Sequence, residues 1–266
     1  MLPIDSPRWS KIKTGFGTGE STAVALKRMH ECIACDPIDQ DELAKALYEV
    51  QCECDELYHQ QSVYPATAAT VPHLVDFIPF LTPKEQINTL VWIGWVAYES
   101  PDRNADDDIA EWYEQATYQA FDWAVKFAKD KDHSSDHTSL FEAIAILHDG
   151  GTLYYTFRDY YQYEFACPDC QLNLYAGHTN EGYKVWDAKH GSYEKEVDDF
   201  AKVAVLPAAN PEEELTKPEH AHLRFFHKLF IEGDHQFMLK WEKQVLGQFP
   251  CPGCNEKIPI KYRWGS

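Results

Sequence analysis

The sequence predicts a mainly α-helical protein, an α-solenoid or helical bundle over residues 1–150, joined to a small α+β zinc-ribbon part over residues 151–266. Three observations predict it. Apolar residues recur at helical spacing through the first 150 residues. After Gly151, tyrosine and phenylalanine crowd the chain, which favours strand or irregular structure. Two knuckles, Phe165-Ala-Cys167-Pro-Asp-Cys170 and Phe249-Pro-Cys251-Pro-Gly-Cys254, repeat one pattern of aromatic, spacer and Cys-Pro-x-Cys. A C-x-x-C loop aims two thiolates at one ion, and two loops supply the four sulfurs of a closed tetrahedral zinc site.

The helices follow in order. Ser21 to Ile33 carries Leu26, Met29 and Ile33 on one stripe, and Asp41 to Cys54 carries Leu43, Leu47, Val50 and Cys54. Pro65 suits a first helical position, where its missing N–H is harmless. The helix it opens is expected to reach Phe80 with a kink at Pro72. Thr82-Pro83-Lys-Glu85 has the pattern of a capping box. The helix beyond it is expected to be buried on most sides, with Ile87, Leu90, Val91, Gly94, Trp95 and Tyr98 on one face and Trp92, Ile93 and Val96 on the other. Ile109 to Phe127 is the clearest amphipathic helix, and His137 to His148 precedes the Gly150-Gly151 stop. Helices of about four turns joined by short polar turns suggest antiparallel pairs stacked on one another.

Beyond Gly151, strands are expected at Tyr163 to Ala166, Asn173 to Gly177 and Tyr183 to Asp187, with a short apolar run at Val203 to Leu206. Glu219 to Ile231 and His235 to Leu246 read as a helical hairpin broken at Gly233, inserted between the knuckles over about 218–247. The final stretch, Lys257 to Trp264, alternates as a strand does, and Pro259 places it at a sheet edge.

The predicted metal ligands are therefore Cys167, Cys170, Cys251 and Cys254. Four cysteine ligands leave no open coordination position, so the zinc is expected to be structural. Cys32, Cys35, Cys52 and Cys54 form a weaker set, because only the first two have C-x-x-C spacing; buried apolar thiols are the simpler reading. Gly15-Phe-Gly17-Thr-Gly19 lacks the G-K-[ST] ending of a phosphate loop and reads as a flexible lead into a helix. His220, His222, His227 and His235 cluster near the hairpin without a metalloprotease motif, and neither a G-x-S-x-G element nor a clear Cys/His catalytic pair is present.

The formal net charge is −19, and a protein that binds phosphates needs cations instead. Lys257, Lys261 and Arg263 form the one local basic group, so nucleic acid is not the expected partner. The longest apolar run, Leu90 to Tyr98, falls short of the ~20 residues that cross a membrane. The N-terminal residues lack signal-peptide character, and a cytoplasmic protein with reduced thiols is expected. Carboxylates crowd residues 36–56, and again Asp102, Asp106, Asp107, Asp108, Glu111 and Glu114 at the start of the long helix. Part of the second group complements the helix dipole. Together they could form an acidic strip attractive to a basic protein.

The segment His59-Gln-Gln-Ser-Val-Tyr64-Pro65-Ala-Thr-Ala-Ala-Thr-Val-Pro72-His73-Leu74-Val75, the opening Leu2-Pro-Ile-Asp5-Ser6-Pro7-Arg8-Trp9 and the late C-P-x-C pairs resemble a family of mostly uncharacterised bacterial proteins with HEAT-like helical repeats and a C-terminal split zinc ribbon. The central acidic portion has no counterpart in that resemblance. It implies a HEAT-like interaction protein without established catalytic residues. Strong acidity, a repeat-like scaffold and no recognisable catalytic set then lead to one expectation: a bacterial immunity or antitoxin-type inhibitor that occludes a basic cognate toxin. Asp102, Asp106, Asp107, Asp108, Glu111 and Tyr113 are its expected contact residues. The alternative is an enzyme with its site between the helical half and the ribbon, using His148, Tyr154 or His227.

Overall fold

A computed structural model gives the fold and describes residues 1–53, 57–59, 62–130, 137–149, 163–179, 182–190 and 202–260. The chain divides into two compact units: Met1–Phe127 with Ser139–Gly151, and Ala128–Thr138 with Thr152–Ser266. The described residues are mainly helical, with a small antiparallel sheet and a cysteine cluster in the C-terminal region.

In the first unit, α1 (Glu20–Ile33) and α2 (Gln40–Tyr48) bury Leu26, Met29, Leu43 and Leu47. The Asp39 side chain caps α2 by accepting from the Asp41 and Glu42 N–H groups. The helix predicted to run to Cys54 becomes α2 plus one π-helical turn, Glu49–Glu53. A hairpin, β1 (Tyr58–His59) with β2 (Ser62–Val63), leads into α3 (Pro65–Phe77). α3 continues through Pro72 and tightens into a 3₁₀ turn, Ile78–Phe80. Ala66, Ala68, Ala69 and Val71 to Val75 are all buried, so the middle of this helix is enclosed, with Asp76 exposed near its end, and the missing Pro72 N–H is one donor fewer to satisfy there.

The Thr82–Glu85 capping box starts α4 (Pro83–Tyr98) as expected. Its burial differs from the expected pattern. Ile87, Leu90, Trp92, Ile93, Gly94 and Val96 are buried, whereas Trp95 and Tyr98 are exposed. Trp95 serves a polar role instead, donating its indole N–H to Glu142 at 2.9 Å. Gly94 meets α6 (His137–Asp149) so closely that a Cβ there would lie 3.2 Å from the Ala143 Cα. α5 (Asp107–Lys129) lies between them in sequence and buries Ile109, Tyr113, Ala116, Ala120 and Ala124 on one stripe.

The N-terminal segment is fastened to this unit by polar contacts within it. His73, 2% exposed on α3, donates from Nε2 to the Leu2 carbonyl at 2.8 Å. That bond fixes the tautomer and leaves Nδ1 buried without a partner. Trp9 packs against the same ring at 6.2 Å and donates its own N–H to the Pro3 carbonyl.

The second unit holds a four-stranded antiparallel sheet in the order β3 (Tyr163–Ala166), β4 (Asn173–Thr179), β5 (Gly182–Asp187), β6 (Val203–Ala204). Helix α7 (Pro211–Leu215) follows, and then the hairpin of α8 (Leu223–Glu232) and α9 (Gln236–Val245). Gly233 ends α8, and a Cβ there would collide with the Ala128 carbonyl, so glycine answers a close approach. The hairpin interior stacks Phe226, Phe230 and Trp241 in successive ring contacts. β7 (Gln248–Pro250) pairs with β8 (Lys257–Pro259), and an isolated Leu206–Gln248 bridge ties this ribbon to the chain just after β6. The strand predicted to Trp264 is described only to Pro259; residues 261–266 lie outside the described residues.

Burial holds the His73 imidazole neutral and lowers its pKa to about 4. The unfolded chain takes up that proton near pH 6.5. The stabilising effect of the neutral ring is therefore complete above pH 6.5 and is lost as pH falls to about 4. The separation is worth on the order of 3 kcal/mol at roughly 1.4 kcal/mol per pH unit. Urea unfolding between pH 7 and 4 should show this loss, and the His73→Gln variant should show a correspondingly flatter pH dependence over that range.

Candidate metal centre

Each knuckle is a turn between two paired strands, and the two turns are built alike. In the first, the Cys167 N–H donates to the Leu172 carbonyl at 2.8 Å and the Gln171 N–H to the Cys167 carbonyl at 3.0 Å. In the second, the Cys251 N–H donates to the Glu256 carbonyl and the Asn255 N–H to the Cys251 carbonyl, both at 2.8 Å. The residue after each second cysteine is left-handed, Gln171 with φ 60° and Asn255 with φ 62°. Asparagine tolerates that region and glutamine less so. The phenylalanines that open the two knuckles meet edge to face, with Phe165 and Phe249 5.8 Å apart.

This duplication brings Cys167, Cys170, Cys251 and Cys254 together, with all four Sγ atoms within 4.8 Å of one another. The contacts run across the knuckles: Cys167 to Cys254 at 3.8 Å and Cys170 to Cys251 at 3.7 Å. These separations are far too long for disulfide bonds. A tetrahedron with metal–sulfur bonds of about 2.3 Å has edges of roughly 3.8 Å, so the donors fit a single ion. Cys170 N–H and Gly253 N–H point at the sulfurs of Cys167 and Cys251, at 3.5 and 3.4 Å. The place of Gly253 is explained by crowding: a Cβ there would lie 2.9 Å from Leu172 Cδ2 and 3.2 Å from Cys170 Sγ.

The electrostatics favour a cation. At Cys167 burial opposes ionisation, but the N–H groups of Cys170 and Asp169 outweigh it and lower the thiol to about 7. At Cys254 the Glu256 N–H favours the thiolate, yet burial and the neighbouring sulfurs push it up to about 12. One thiolate forms readily in such a cluster and four do not, unless a metal ion offsets their repulsion.

The remaining predicted residues are dispersed. Cys32 and Cys35 are free thiols on and just after α1, Cys32 pushed up chiefly by burial and Cys35 donating to the Glu31 carbonyl. Cys54 and the Cys52 side chain fall outside the described residues. Among the described residues, the four late cysteines are the one group of three or more potential ligands close enough to share an ion. His148 lies on α6 and His227 on α8, and Tyr154 is outside the described residues.

The six acidic-face residues separate into three kinds. Asp106 and Asp108 are already engaged: Arg8 donates from Nη2 to Asp106 at 2.7 Å and from both terminal nitrogens to Asp108. These bonds hold the Asp108 carboxyl below its ordinary range. Tyr113 is a core residue, 6% exposed, its hydroxyl buried without a partner and its phenol pushed far up, first by burial and then by the charge of Asp102. Asp102, Asp107 and Glu111 remain, and with Glu114 they line an open recess of about 510 Å³. The engagement of Asp106 and Asp108 escapes a sequence reading because Arg8 lies about a hundred residues away. The Tyr113 burial is legible from its stripe with Ile109 and Ala116.

No protein-family model, curated protein or solved structure matches this chain. No helix among the described residues is long and apolar enough to cross a membrane.

The expected stoichiometry is one metal ion per chain by elemental analysis. Cys251→Ser should reduce it severalfold and render the second unit sensitive to protease, since such centres contribute on the order of 10 kcal/mol to folding. At the neighbouring turn, Gln171→Val should cost about 1–2 kcal/mol in thermal unfolding because a β-branched residue resists φ near 60°, while Gln171→Gly should cost less than about 0.5 kcal/mol.

Proposed function

We propose that this protein binds another protein without catalysing a reaction on it, and that its acidic recess at the start of α5 receives a basic partner. The supporting observation is the set of carboxylates that line the recess. Asp102, Asp107, Glu111 and Glu114 have no ion-pair partner among the described residues, although Arg8 neutralises their neighbours Asp106 and Asp108. Uncompensated like charges on one rim repel one another and are relieved by an incoming cation. With a net charge of −19, long-range attraction adds to the local one and speeds encounter.

In its specific form this reading is a bacterial immunity or antitoxin-type inhibitor, whose acidic surface covers the basic active site of a cognate toxin. The first unit would then be a HEAT-like scaffold, rigid enough to present the recess. The four-cysteine centre would be a split zinc ribbon. Zinc suits a closed set of four thiolates with no open position and no need for redox change. Iron is the competing ion for four sulfurs, and a colourless purified protein with stoichiometric zinc favours the present assignment.

The experiment is association kinetics with a basic protein recovered from the native host, beginning with the product of the neighbouring reading frame. Joint reversal of Asp102, Asp107 and Glu111 to lysine should slow association about tenfold or more and flatten its salt dependence. Unchanged association in that variant sinks the acidic-recess reading.

A further inference from the structure

The α8–α9 hairpin buries a carboxylate that its packing does not require. Glu242 on α9 is 1% exposed, in an interior otherwise made of Phe226, Phe230, Met238, Trp241 and Val245. A buried charge costs several kcal/mol unless it is paired, and apolar replacements of such pairs are often neutral or stabilising. Among the described residues the Glu242 carboxylate has one partner. His227 on α8 donates from Nδ1 to its Oε2 at 2.6 Å, while Oε1 is buried and unpaired. Burial leaves the Glu242 carboxyl above its ordinary range, with the hydrogen bond and charge of His227 and then Lys243 opposing the rise without cancelling it.

The bond to Glu242 decides the state of the imidazole. With Nδ1 carrying the proton, Nε2 holds the free lone pair. His227 is one-fifth exposed and lines an open recess of about 400 Å³ with Glu212, Leu215, Thr216 and Arg224. Arg224 is held rigidly there. Its Nε donates to the Leu215 carbonyl at 2.6 Å and Nη2 to the Thr216 and Lys217 carbonyls at 3.1 Å, which leaves Nη1 uncommitted among the described residues. The Thr216 hydroxyl is committed to the Glu213 carbonyl at 2.7 Å. The recess thus combines a carboxylate-backed base, a fixed guanidinium and an apolar wall at Leu215, without a free hydroxyl or thiol nucleophile among its lining residues.

We propose that this recess is a hydrolytic site for small carboxylic esters, with His227 as the general base on water and Glu242 as its positioning residue. Nε2 takes a proton from water as the water oxygen bonds to the ester carbonyl carbon, and the carbonyl electron pair moves onto the oxygen that faces Arg224. Collapse of that intermediate breaks the bond to the leaving alkoxide, which takes the proton back from Nε2. The products are a carboxylic acid and an alcohol, and His227 returns to its starting state. The Glu242 charge stabilises the transient imidazolium, as the buried carboxylate of a catalytic triad does.

The test is hydrolysis of p-nitrophenyl acetate by the full metal-loaded chain. His227→Gln should lower kcat/KM at least about 100-fold, and added imidazole should restore part of the activity of His227→Ala. Glu242→Gln should lower kcat more than KM, because the transient imidazolium loses its counter-charge. His222→Gln, outside the recess, should stay within twofold. A native rate no greater than that of the urea-unfolded chain, or a His227→Gln rate within twofold of native, overturns the proposal. Imidazole nitrogen NMR of the unmutated protein tests it independently of folding defects: an Nδ1–H tautomer is expected, and an Nε2–H tautomer overturns it.

Discussion

Four sulfurs contributed by two distant turns impose the strongest constraint on the second unit. Each turn belongs to its own strand pair, β3–β4 and β7–β8. For the sulfurs to converge, everything between Gln171 and Pro250 must leave the first knuckle and return to the second. Strands β4 to β6, the short α7 and the α8–α9 hairpin therefore belong to a loop whose two ends meet at one point. The Phe165–Phe249 contact and the Leu206–Gln248 bridge support the same closure from outside the sulfur shell. An ion held at that point would stabilise the fold by its binding free energy, because the four ligands converge only in the folded chain.

The first unit solves a different problem with polar contacts of long sequence range. Its N-terminal segment is short and carries few apolar residues, yet Leu2 and Trp9 are buried. The His73 bond to the Leu2 carbonyl and the Arg8 bridge to Asp106 and Asp108 hold that segment at two places. The Arg8 bridge also reshapes the surface charge. It removes two carboxylates from a run of four in residues 102–108 and leaves the rest concentrated around one recess. A diffuse acidic strip thereby becomes a localised one.

The two candidate surfaces in this molecule rest on opposite electrostatic situations. The recess on α5 has exposed carboxylates without ion-pair partners among the described residues, where attraction is strong at long range and weakened by salt. The recess on α8 has a carboxylate withdrawn from water and paired with a single imidazole, where the interaction is short-range and largely insensitive to salt. The first suits recognition of a charged macromolecule, and the second suits control of one proton.

Local chemistry was readable from the chain alone. Apolar residues at helical spacing located α1 and α3 to α6, the Thr82–Glu85 box marked the start of α4, and each F-x-C-P-x-C spelled out one pair of neighbouring thiols, because each of these depends on residues within a few positions of one another; that the two pairs share one site was legible only from the repetition of the pattern. Tertiary structure decided the rest. It turned Trp95 outward, placed Tyr113 in the core, gave Asp106 and Asp108 to Arg8, and paired His227 with Glu242. Each of these outcomes is set by which distant surface a side chain meets, and a linear sequence specifies periodicity without specifying that neighbour.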